Sequence, residues 1–193
     1  MSRATDLIRS GDTLPETTVP LCLNGALQAE YEQAQRDLDK AEDDADTRRA
    51  RGRRLADEDP HRARKDRLAE LSEQMQPYVL PLRLRALSRP KFRALRSEHP
   101  PRQDDDGKVM DVDLAVGVNI ETFFDALVRA CIVGSAEDDG TVEPIADADL
   151  TMLLDERISD GQWKALADSA WSINRRDVDV PFSRASSKPT PSS

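Results

Sequence analysis

The sequence predicts a mainly α protein with a minor β component. The expected architecture is a small two-stranded antiparallel sheet covered by a helical bundle, with an inserted charged helical hairpin. Three observations carry this reading. Residues 18–24 and 78–87 alternate apolar and polar positions with period two. The 51 residues of 26–76 hold 25 charged side chains, and their apolar residues recur at helical spacing. Beyond residue 88 the apolar residues form stripes at i, i+3 and i+4.

The elements follow in order. Residues 1–16 are polar and read as a flexible N-terminus. In TVPLCLN (18–24), Val19, Leu21 and Leu23 share one side of a strand, opposite Thr18, Pro20 and Cys22. Pro20 has no N–H for a ladder, so the strand is expected at an edge, and Gly25 ends it. Leu27, Tyr31, Ala34, Leu38, Ala41 and Ala45 then form a heptad-like seam, weak because it is rich in alanine. A second helix is expected from Pro60, a residue suited to a helix start. Its seam runs through Arg64, Leu68, Leu71 and Met75. Gly52 breaks the chain between them, giving an antiparallel hairpin with a charged tip. Its apolar stripe is thin, so it should protrude rather than build the core.

YVLPLRLRAL (78–87) sets Leu80, Leu82, Leu84 and Ala86 against Val79, Pro81, Arg83 and Arg85. It is the second strand, and a ribbon of two needs helices over its apolar face. Ser88 is a candidate N-cap with Pro90 in the first turn, Phe92 and Leu95 face inward, and His99-Pro100-Pro101 stops this helix. Residues 102–118 read as an acidic loop. Asn119 caps the clearest stripe in the chain: Ile120, Phe123, Phe124, Leu127, Val128 and Cys131. A second acidic loop (GSAEDDGTVEP) leads to a helix from about Asp147, with Leu150, Leu153, Leu154 and Ile158 inward. The last helix starts near Asp160 and aligns Trp163, Leu166, Ala167, Ala170, Trp171 and Asn174. RASSKPTPSS is low in complexity and reads as disordered. The domain outline is therefore 1–16, a core made of 17–25 and 78–183, the inserted hairpin at 26–77, and a tail at 184–193.

Composition narrows the function classes. The 193 residues carry a net charge of −9. Residues 1–100 are near neutral, with 19 basic and 18 acidic side chains, so residues 101–193 hold nearly all the excess. Six of the eight aromatics (Phe92, Phe123, Phe124, Trp163, Trp171 and Phe182) lie from residue 92 onward. A net-acidic chain is a poor nucleic-acid binder, because phosphate contact depends on Lys and Arg. The basic run at 48–54 is flanked by EDDAD and DEDP and reads as an ion-paired hairpin tip. No apolar run approaches the ~18–20 residues of a membrane span. MSRATDLIRSGDT has no apolar h-region, so no secretory signal is expected. Two cysteines, Cys22 and Cys131, make neither a disulfide framework nor a metal cluster, which fits a reducing cytoplasm.

No catalytic constellation emerges. Nucleophilic catalysis needs a base beside the nucleophile, and only His61 and His99 are on offer. The first lies on the charged hairpin and the second at a helix end, where structural roles suffice. The aspartate runs at 43–44, 104–106 and 138–139 read as solvated loops. Aligning Gly107 with the central glycine of an EF-hand puts Arg102 at the first ligand position, so calcium is not expected there. Glycine-rich phosphate loops are absent. The expectation is a protein that is not an enzyme and that uses no cofactor or metal.

Three segments together bear a family likeness. They are TVPLCLNGAL, then LRLRALSRPKFRALRSEHPP, then VNIETFFDALVRACIV followed by LLDERISDGQWKALADSAWSINRRDVDVPFSRASS. This series resembles the tail assembly chaperones of long-tailed bacteriophages, especially those infecting actinobacteria, over most of residues 17–186. The resemblance implies a small, largely helical, non-enzymatic protein of the host cytoplasm, absent from the mature virion. Such proteins coat the tape-measure protein before the tail-tube subunits polymerise around it, and are often made in two forms by a translational frameshift. The implied partners are the tape-measure protein, the major tail-tube protein and further copies of the chain, with no nucleic acid and no membrane. No catalytic residues carry over. The aromatic stripes supply the candidate partner-binding residues: Phe123, Phe124, Leu127, Trp163, Trp171 and Phe182. The alternatives are a structural component of the tail or neck and a coiled-coil adaptor.

Overall fold

The computed structural model describes residues 5–6, 14–50 and 61–175, without the side chains of 45, 46 and 48–50. The expected N-terminal and C-terminal tails, the hairpin tip, Pro60 and Phe182 lie wholly or largely outside these residues. The described residues are mainly helical, 64% of them in helices, with a small antiparallel sheet. The sheet has four strands where the sequence reading expected two. The described residues divide into two compact units, one from within 1–17, 84–132 and 166–193, the other from within 18–83 and 133–165. The outline by composition follows charge, whereas these units follow contacts. The helical hairpin groups with the sheet and with residues 133–165.

The second unit holds most of the sheet. Its strands are β1 (Glu16–Cys22), β2 (Val79–Arg85), β3 (Ile132–Ala136) and β4 (Val142–Glu143), in the order β1-β2-β3-β4. Pro20 therefore sits on an edge strand, as its missing N–H requires. Pro81 sits on an inner strand, and the register keeps its missing N–H out of the β1–β2 ladder. Leu23 N–H donates to Tyr78 O and Ala86 N–H to Pro15 O, at 2.9 and 2.8 Å. Counting inward from these two bonds puts Pro20 directly opposite Pro81 in a non-hydrogen-bonded pair. Neither missing donor belongs to the β1–β2 ladder: one faces the open edge, the other faces β3. The expected alternation holds in part. Val19, Leu21, Leu82, Leu84 and Ala86 are buried, but Leu80 is half-buried. Leu23 is exposed while Cys22 is buried, because β1 ends at Cys22 and the alternation ends with it.

The acidic loop expected after residue 133 is instead the β3–β4 hairpin, paired Ser135 to Glu143 and Ala136 to Val142. Its turn closes with Gly140 N–H on Glu137 O and Glu137 N–H on Thr141 O. Gly134 has φ +150°, and a Cβ there would overlap the Glu143 carbonyl oxygen. The strand was hidden because helix passes straight into strand at Ile132, without a glycine or proline to mark the change.

Helices α1 (Gly25–Ala50) and α2 (Arg62–Met75) pack against each other in this unit. Asn24 caps α1 by accepting from Leu27 N–H. The seam residues Leu27, Tyr31, Ala34 and Ala41 are half-buried, and Leu38, Leu68 and Leu71 are buried, whereas Arg64 is exposed. Across the pair Arg67 meets Glu30 and Lys65 meets Glu42, so the two helices run antiparallel. The helix expected from Asp147 is a six-residue α-helix, Asp147–Met152, that widens into a π turn at Leu153–Arg157. Leu153 and Leu154 are buried in that turn.

The first unit is built from α3 (Arg89–Glu98), α4 (Asp111–Val116), α5 (Ile120–Cys131) and the later part of α7 (Asp160–Arg175), with α6 denoting the short Asp147–Met152 helix above. Ser88 and Pro90 occupy their expected places at the start of α3, although the Ser88 hydroxyl makes no capping bond. Asn119 caps α5 by accepting from Glu121 N–H at 3.0 Å. Helix α4 lies inside what the sequence reading took for a loop at 102–118. Its stop is Gly117, in the left-handed conformation at φ +79°.

Candidate functional site

Three places could carry function. The first is an aromatic cluster in the unit of α3 and α5. Phe123 is fully buried at its centre. Phe92, Phe124, Trp171 and His99 surround it with ring centroids at 6.2, 5.5, 5.8 and 6.1 Å. The rings meet edge to face, an arrangement worth about 0.5–1.5 kcal/mol per pair beyond burial. Phe124 also meets Trp171 at 5.6 Å, and the Arg175 guanidinium lies 4.6 Å above the Trp171 ring. The i, i+3, i+4 spacing of α5 puts Phe123, Leu127, Val128 and Cys131 inward, all four fully buried. It leaves Phe124 half-buried at the cluster's rim beside the half-buried Trp171.

Polar bonds fix this cluster. His99 Nδ1 lies 2.8 Å from Thr122 Oγ1, and His99 O accepts from Asn119 N–H at 3.0 Å, joining the end of α3 to the start of α5. Asn174 accepts from Leu87 N–H at 2.8 Å and donates to Ala170 O and to Cys131 Sγ. Burial pushes the Cys131 thiol up, against a smaller opposite effect of the Asn174 bond. A buried thiol raised in this way is no nucleophile at neutral pH.

The second place is the Arg102–Asp113 clasp. Asp113 is the one fully buried charged residue among those described. Its carboxylate accepts from Arg102 N–H and Nε at 2.8 Å, from Arg102 Nη2 at 2.9 Å and from Ile120 N–H at 3.2 Å. Arg102 also pairs with Glu121. The Arg102 hydrogen bond holds the Asp113 carboxyl well below the usual carboxylate range, against the opposing effect of burial. The guanidinium is raised in turn, chiefly by the same bond. Every carboxylate oxygen is thus engaged, which makes the pair a structural clasp rather than an acid or base.

The third is an open cleft of about 570 Å³ in the sheet unit, between β1, α1, α2 and the start of α7. Its polar side chains bond one another. Gln162 accepts from Ser159 N–H at 3.0 Å and donates to Cys22 O at 2.8 Å and to Gln28 Oε1 at 2.9 Å. Gln28 donates onward to Glu32 at 3.0 Å. Ser159 and Gln162 also form a capping box at the start of α7. The spacing Ser159-x-x-Gln162 is the sequence signal of that box.

The sequence-predicted partner residues separate. Phe123 and Leu127 have no accessible surface and serve the core, because their helix turns them toward α3 and α7. Phe124 and Trp171 meet at the rim. Trp163 is half-buried in the other unit, and Phe182 lies outside the described residues. Asp113 and Arg102 were missed, since Asp113 reads as one more loop acid. The available clue was Gly117, a helix-stop glycine after DVDLAV. Among the described residues no helix is long and apolar enough to cross a membrane, and no group of three His, Cys, Asp or Glu could hold a metal ion. No protein-family model, curated protein or solved structure matches the chain.

Proposed function

We propose that this chain is a phage tail assembly chaperone, which binds and shields the tape-measure protein and helps recruit tail-tube subunits without catalysing a reaction. The observation that carries the reading is the rim of the aromatic cluster, where Phe124 and Trp171 keep partial exposure beside a packed core. A long tape-measure helix exposes apolar faces until the tube encloses it. An aromatic rim on a rigid base offers such a face a place to dock, as helix-in-groove recognition requires. The likeness of the three segments quoted above gives the partner its name. The acidic second half of the chain keeps many copies soluble around one partner.

The test is co-expression with the tape-measure protein encoded beside this gene. The expected result is a soluble tape-measure protein only in the presence of this chain, and less of it with the Phe124→Ser variant. Equal solubility with and without the chain overturns the reading. Mass spectrometry of purified virions separates the chaperone from a structural tail or neck component, which would be present at stoichiometric level.

A further inference from the structure

Helix α4 inverts the usual amphipathic pattern. Its one buried side chain is Asp113, while Val112 is 52% and Leu114 63% exposed. These are the two most exposed large apolar side chains among the described residues, and Met110, just before the helix, is 38% exposed. A six-residue helix that buries its aspartate and shows its valine and leucine gains little from the hydrophobic effect. The Arg102 clasp and the Ile120 N–H hold it instead. The apolar side chains are therefore presented on a fixed base.

Their arrangement says what would fit. Taking about 100° per residue around the helix from the inward Asp113, Met110 and Leu114 lie on one flank. Val112 lies on the other, and Asp111 stands on the outward crest between them. The preceding turn adds Asp104, Asp105 and Asp106, all exposed, against a single lysine, Lys108, which lies 3.5 Å from Asp111. Arg102 is occupied by Asp113 and Glu121. The surface is thus acidic at its crest and at its N-terminal margin and apolar on both flanks, with the Arg96 guanidinium at its C-terminal end beside Gly117.

We infer that the α4 surface, with Met110, Val112 and Leu114 flanking Asp111, docks a basic amphipathic helix of another protein. Apolar side chains of that helix would cover the flanks, and a Lys or Arg between them would meet Asp111. The acidic margin repels nucleic acid and anionic membrane surfaces, which leaves a cationic protein segment as the complementary partner. This goes beyond the chaperone reading and does not depend on it.

The probe is a fluorescent Leu/Lys amphipathic peptide of about 18 residues, long enough to hold a helix. It is titrated against the full chain, with a Glu-for-Lys version as control. The wild type is expected to bind the Leu/Lys peptide and not the Leu/Glu one. V112S/L114S should weaken binding about tenfold, with an unchanged melting curve because both positions are exposed. D111N should weaken it less, and added salt should weaken the wild type. Equal binding by V112S/L114S, or no binding by the wild type, overturns the inference. So does a wild-type dimer in sedimentation that V112S/L114S converts to monomer, since a second copy would then be the occupant. No phage protein enters this assay, so its failure leaves the co-expression result intact.

Discussion

The α1–α2 hairpin and the α3–α5–α7 cluster are both helix packings, yet they are held by different means. The hairpin meets along a thin line of Leu38, Leu68 and Leu71 with half-buried alanines, and exposed ion pairs flank it. The cluster closes around one fully buried phenylalanine and four rings, and a buried carboxylate clasps the adjoining helix start. Apolar area and ring geometry dominate the second region. The first relies on a narrow seam and on charges whose individual worth in water is small. Stability should therefore be far more sensitive to single substitutions in the cluster than in the hairpin.

The largest effect is expected at Phe123. Truncating a fully buried phenylalanine to alanine costs about 3–5 kcal/mol, a large part of the stability of an ordinary domain. Phe123→Ala should lower the denaturant midpoint more than any hairpin substitution. A smaller loss than that of Leu71→Ala would break the comparison.

Asp113→Ala comes next, because it leaves Arg102 without its buried partner and Ile120 N–H without its acceptor. A fall in Tm on the order of 10 °C is expected for loss of a buried pair. The same group gives a pH signature. Its carboxyl is depressed in the folded state, so its contribution is complete above the unfolded value of ~3.9 and is lost as pH falls below it. Wild-type thermal melts should weaken steadily below about pH 4, and Asp113→Ala should flatten that slope. An identical slope in the variant would show that other carboxylates govern acid unfolding.

The two regions also differ in how legible they were. The hairpin seam, the two alternating strands, the Asn119 cap and the α5 stripe could all be read, because each is a local pattern with a fixed period. The β3–β4 hairpin was not. Gly134, Ser135 and the run at 137–139 look like loop, and only pairing across the turn makes IVGSA a strand. Helix α4 was missed for a related reason. Its inward residue is Asp113, and an aspartate faces inward only because Arg102, eleven positions earlier, meets it there. The partner residues were half legible: periodicity placed Phe123 and Leu127 on the apolar face of α5, but which of that face stays at the surface depends on where α3 and α7 pack.

In the hairpin, Leu71→Ala is expected to cost about 2–3 kcal/mol, the lower part of the range for buried leucines, since Leu71 is fully buried but its seam is narrow and flanked by small alanines. Denaturant unfolding followed by circular dichroism would check this. A loss equal to that of Phe123→Ala would mean that the seam is as tightly packed as the cluster.

The smallest effects belong to the hairpin's charges. Arg67 bridges Glu30 of the facing helix at 3.0 Å and Glu70 of its own at 2.9 Å, and Lys65 lies 3.6 Å from Glu42. All of these side chains are exposed, and solvent screens such pairs while ordering two long side chains costs entropy. Arg67→Ala and Lys65→Ala should each change Tm by no more than about a degree, and less at high salt. A drop of several degrees that disappears at about 0.5 M salt would show the charges acting as a network rather than as separate pairs. The hairpin would then be held by its surface, and its contrast with the aromatic cluster would be sharper than burial alone makes it.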